Sequence, residues 1–65
     1  MSRTLGQILS DPTTTDDQAR DAVKAATTKE RAEQLTFYAR VLKRDNVYPG
    51  WKAQAKRNVE ILEEI

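Results

Sequence analysis

Apolar residues recur at helical spacing along almost the whole chain, and both prolines fall between the periodic stretches rather than inside them. That pattern predicts an all-α fold. Leu5, Ile8 and Leu9 stand at i, i+3 and i+4, which places them on one face of a short helix over 4–10. Ser10-Asp11-Pro12 ends that helix, because the residue before a proline is pushed out of the α region. Thr15-Asp16-Asp17-Gln18 has the form of a capping box, with acidic residues in the first turn where the helix dipole favours them. A second helix is therefore expected over 16–26, with Ala19, Ala22, Val23 and Ala26 on its inner stripe. Its alanines allow close approach but bury little area.

Thr27-Thr28-Lys29-Glu30 repeats the capping-box signal and opens a third helix reaching to about Asp45. Ala32, Leu35, Tyr38, Ala39 and Leu42 share one face of it. Phe37 and Val41 lie alongside and widen the apolar arc to about 220°, well beyond the roughly 100° of an ordinary surface helix. Helix 3 is thus either central in the fold or covered on a second side by a partner. Asn46 is suited to end it in a left-handed conformation, and Pro49 to open the next helix. A fourth helix over 49–64 would turn Trp51, Ala55, Val59, Ile61, Leu62 and Ile65 to one side. Most of the large apolar residues lie between Leu35 and Ile65. The expected architecture is a single helical domain over 1–65, a small bundle of three main helices plus a short N-terminal one. A helix 3–helix 4 hairpin would be its main core.

With 65 residues and no cysteine or histidine, the chain lacks disulfides, thiolate ligands and the commonest general base. There is no phosphate-binding glycine loop and no calcium loop. Adjacent carboxylates such as Asp16/Asp17 and Glu63/Glu64 diverge on a helix and cannot act together. Glu60 with Glu63 or Glu64 has the spacing for a cation, but Lys56, four residues before Glu60, points to an ordinary ion pair instead. No enzyme activity, cofactor or metal is expected. No apolar run approaches a membrane span, and the chain is expected to be cytoplasmic.

Charge is more informative. Between Arg40 and Arg57 there are six basic residues against Asp45 alone, a net +5, while the remainder carries five basic and nine acidic residues, a net −4. Two readings follow. In the first, a non-catalytic module binds another protein, or a second copy of itself, through the outer face of helix 3. Phe37 and Val41 would give apolar contact, Arg40, Arg44 and Lys56 would steer an acidic partner, and Tyr48 would lie between them. In the second, the chain is a DNA- or RNA-binding regulator using Arg40, Lys43, Arg44, Lys52, Lys56 and Arg57. A variant of the second is a helix-turn-helix over 18–35, with Thr28, Lys29, Arg31 and Gln34 at the start of the reading helix. The extension of helix 3 far past that unit, with its cations at the wrong end, weighs against the variant. A third role for the cations is purely local, since they complement the dipole at the C-terminus of helix 3.

Overall fold

The computed structural model describes residues 3–64. Four helices run in the order α1 (Leu5–Ser10), α2 (Asp16–Ala25), α3 (Thr28–Lys43) and α4 (Pro49–Glu64), with no strand among the described residues. The molecule measures 32 × 23 × 21 Å. No described helix is long and apolar enough to cross a membrane.

The same local device starts three of the helices. Thr4, Thr15 and Thr27 each accept the amide of the residue three positions on, and the side chain of that residue (Gln7, Gln18 or Glu30) accepts the threonine amide in return. Two of these boxes were expected; the one at Thr4 has the same T-x-x-Q form and went unread. Pro49 opens α4, as expected, and the amide of Lys52 donates to the Tyr48 carbonyl.

The helix ends also share one geometry. The amides of Asp11, Ala26 and Arg44 donate to the carbonyls three residues back, at 3.2–3.3 Å, and the chain then turns extended. No described residue, glycine included, has a positive φ. The left-handed termination expected at Asn46 therefore does not occur. α3 closes two residues early, because the tightened bond from Arg44 to Val41 ends the ladder and the backbone at Arg44 leaves the α region.

α3 packs most closely against α4, while α2 lies on α4 and on α1, and α1 also rests on α3. Leu5, Leu9, Ala19, Val23, Tyr38, Val41, Ala55, Ile61 and Leu62 form the core, with Leu35, Leu42, Val47, Trp51 and Val59 packed at its edge. The helix 3–helix 4 hairpin is thus the main core, as expected. Met1 and Ile65, counted with the apolar set, lie outside the described residues.

One polar residue stands at the centre of this core. Asn58 is fully buried, and its Nδ2 donates to the Leu9 carbonyl at 2.8 Å, as does Gln54 Nε2, also at 2.8 Å. The last carbonyls of α1 lack backbone partners within that helix, and those of Gln7, Ile8 and Leu9 accept from side chains, most of them outside it. Ile8 accepts from the Thr14 hydroxyl at 2.7 Å, and Gln7 accepts from Arg3 and Ser10. A six-residue helix has little intrinsic stability, so α1 is held by its two buried leucines and this polar clamp.

Candidate functional site

The wide apolar arc of α3 is largely absorbed by the fold itself. Val41, expected on a free second face, is only 6% exposed and belongs to the core. The reason is that α3 has neighbours on more than one side: α4, α1, and the 44–48 connection that brings Val47 against the core. Phe37 is different. It is 51% exposed, and with Tyr48 at 72% it is one of two exposed large hydrophobic residues among those described.

Phe37 stands at the edge of a hollow of about 280 Å³ lined by Phe37, Arg40, Val41, Arg44, Val47 and Trp51. Phe37, Arg40 and Val41 stand at i, i+3 and i+4 on α3, and Arg44, its C-cap, follows at i+7, so the helix and its cap bring all four to one face. Val47 and Trp51 complete the hollow from the connection and the first turn of α4. The Phe37 and Tyr38 rings meet edge to face at 5.0 Å, and the Tyr38 and Trp51 rings lie 6.0 Å apart. The exposed ring is thereby braced against a buried one. Burial pushes the Tyr38 phenol above its ordinary value, with Asn58 and Arg57 partly offsetting the effect. A second hollow, about 430 Å³, lies on the other side of Phe37 and Trp51, where Gly6, Ser10, Glu33 and Gln34 line it.

Four of the six residues expected to bind a partner therefore line one concavity: Phe37, Arg40, Val41 and Arg44. Tyr48 and Lys56 do not line it. The Tyr48 ring lies over Gly50, where an added Cβ would come within 3.1 Å of it, and Lys56 is exposed on α4. Val47 and Trp51 were missed as lining residues; Trp51 was placed in the core, and only the loop geometry shows that one side of it stays open.

The cations divide into two groups. Arg57 is committed to the fold. Its Nη1 donates to the Thr14 carbonyl at 2.8 Å and lies 3.3 Å from Asp16, and its Nε donates to Asn58. It drops out of the phosphate-binding set for that reason. Arg3 pairs with Asp11, and Arg20 with Glu64 and Asp17. Among the described residues, Arg40, Lys43, Arg44, Lys52 and Lys56 make no ion pair, and the pair expected between Lys56 and Glu60 does not form. No described group of carboxylates is placed to hold a metal ion.

The helix-turn-helix variant gains little from the geometry. α2 packs on α4 and α1 rather than closely on α3. Ala32, which such a unit would bury, is exposed. Of the residues that would read bases, Thr28 is exposed but accepts a hydrogen bond from Arg31, which is half-buried, as is Gln34. Lys29 is exposed. Compared with protein-family models, with curated proteins and with solved structures, the chain matches none of them.

Proposed function

We propose that this protein is a non-catalytic, cytoplasmic protein-binding module that takes an acidic segment bearing one bulky apolar side chain. The observation that carries the reading is Phe37. A half-exposed aromatic ring, braced by Tyr38, stands at the rim of a hollow floored by Val41, Val47 and Trp51. Binding energy at protein interfaces concentrates on such rigid aromatic anchors beside a pocket. Arg40 and Arg44, at the same rim and without an ion pair among the described residues, favour carboxylates and speed their approach. Lys43, Lys52 and Lys56 extend the positive field beyond the hollow.

Trp51 is the only tryptophan in the chain and lines the hollow, so its fluorescence reports on occupancy directly. The test is a titration with a tryptophan-free peptide carrying one phenylalanine between pairs of glutamates, repeated with a short single-stranded DNA of equal charge. The reading predicts a saturable change with the peptide, lost in Phe37→Ser and weakened in Arg40→Glu. A response to DNA alone, falling steeply with salt as phosphate binding must, would transfer the patch to the nucleic-acid reading.

A further inference from the structure

Four exposed residues of α3, Glu30, Glu33, Phe37 and Arg40, and its exposed C-cap Arg44, follow one another at steps of three, four, three and four. At 100° per residue they fall within an arc of about 80°, a single narrow stripe. Along the helix the stripe runs acid, acid, aromatic, base, base. Glu30 and Arg44 stand seven residues on either side of Phe37, about 10.5 Å along the axis in each direction, and Glu33 and Arg40 stand about 6 Å and 4.5 Å from it. Turned end for end about Phe37, the stripe presents the opposite charge at every position.

From this we infer that the acidic, aromatic-bearing partner is a second copy of the chain, joined by a two-fold axis that sets the two α3 helices antiparallel with Phe37 at the centre. The inference rests on the protein-binding reading above and names its partner. An isologous contact requires a surface complementary to itself, and the order of charges supplies that. Glu33 of each copy faces Arg40 of the other, Glu30 faces Arg44, and the two Phe37 rings meet between the hollows that flank them. A parallel arrangement would set acid on acid and base on base, so the charges also select the orientation. The stripe is otherwise uncommitted, since among the described residues none of its four charged side chains makes an ion pair. Glu30 retains its capping contact with the Thr27 amide through one carboxylate oxygen, which leaves the other open. One pair of 16-residue helices makes a small interface, so the dimer should be weak, with a dissociation constant on the order of 0.1 mM.

The experiment is sedimentation equilibrium of the full chain over a concentration series spanning that value, at low salt, with the variants Glu33→Lys and Arg40→Glu. The natural chain should move from monomer to dimer. Each variant alone places like charges opposite one another twice and should raise the dissociation constant at least tenfold. Mixed in equal amounts, the two variants restore opposite charges at both pairs, and heterodimer should form at least as readily as the natural dimer. Circular dichroism of each variant confirms that it remains folded. A natural chain that stays monomeric throughout, or variants that dimerise as it does, or a mixture that fails to associate, would overturn the inference. The peptide titration of Trp51 separates this failure from failure of the wider reading. A monomer that still binds the peptide loses only the second copy as partner, and a monomer that ignores the peptide loses both.

Discussion

The carbonyl of Leu9 accepts two side-chain donors, the half-buried Gln54 Nε2 and the buried Asn58 Nδ2, each at 2.8 Å. This sharing predicts that the two residues cannot be removed independently. Consider Gln54→Met and Asn58→Leu, which open no cavity; the cost of fitting the larger leucine enters the single variant as well as the double one and cancels from the cycle. Either change alone removes a hydrogen bond with a net worth of about 0.5–1.5 kcal/mol, but the Leu9 carbonyl keeps its other donor. The Asn58 variant also takes an acceptor from Arg57 Nε; that guanidinium is partly exposed, and water replaces the loss cheaply. Removing both donors leaves a carbonyl in a residue with no solvent exposure without any partner. That desolvation penalty is about 1–3 kcal/mol beyond the sum of the single changes. For a domain of this size, one kcal/mol is about 4–8 °C in melting temperature. The double variant should therefore melt at least about 5 °C below the additive expectation. Urea denaturation followed by far-ultraviolet circular dichroism, with all four members of the cycle at constant m-value, gives the coupling. Additivity within about 0.5 kcal/mol would show that the carbonyl is satisfied some other way, and the account of how α1 is held would fail.

Three further outcomes follow from the same geometry. Val41→Ala should cost about 2 kcal/mol or more by opening the core, whereas Phe37→Ser should cost less than about 1.5 kcal/mol, mainly its edge contact with Tyr38; the reverse order in thermal melts would misplace the helix face. Asp11, which accepts the Thr13 hydroxyl and amide and pairs with Arg3, has its carboxyl lowered to about 2 from 3.8. Because the folded value is the lower one, this stabilisation is complete above about pH 4 and disappears as pH falls through about 2. Carboxyl-detected NMR should show the Asp11 midpoint moving up in both Thr13→Val and Arg3→Ala, and an unmoved midpoint in either would remove that contact from the account. Finally, Gly6→Ala should be neutral or stabilise by up to about 1 kcal/mol, since Gly6 is helical and an added Cβ meets only the mobile end of the Gln34 side chain at 3.1 Å. A loss of more than 1 kcal/mol in urea melts would mean that α1 cannot give way against α3.

Local signals made the four helices legible. Threonine followed three residues later by glutamine or glutamate marks the start of α2 and α3, Pro49 marks the start of α4, and the spacing of Ala19, Val23, Tyr38, Ala55, Ile61 and Leu62 marks their inner faces. What the sequence did not disclose depends on relations between helices. Asn58 lies on the α4 stripe, three residues from both Ala55 and Ile61, so its position was readable. Its meaning was not, because the carbonyl it serves is 49 residues away at the end of another helix. Val41 was misjudged for a related reason. An arc of 220° says that a helix has too much apolar surface for one neighbour, but not whether the second neighbour is internal. Here α1 and the connection holding Val47 are that neighbour, and they leave only Phe37 over.

The fate of the charges sharpens what Phe37 is for. Every ion pair among the described residues uses an arginine that joins a loop or helix to something outside its own turn, apart from the contact of Arg20 with Asp17. Exposed pairs of this kind contribute little energy, so their effect lies mainly in fixing how α1, α2 and the end of α4 meet. The acidic surplus outside 40–57 is thereby partly used inside the molecule, while of the basic residues in 40–57 only Arg57 makes an ion pair among the described residues. A helix dipole accounts for cations in the last turn of α3, as with Arg40 and Lys43. It is indifferent to which side of the helix they occupy. It does not explain why Arg40 and Arg44 share a stripe with the one exposed ring of α3, or why the same stripe carries carboxylates a matching distance in the other direction. The proposed two-fold contact would use that arrangement, and no ion pair among the described residues depends on it. The charge swap between Glu33 and Arg40 therefore probes function apart from stability.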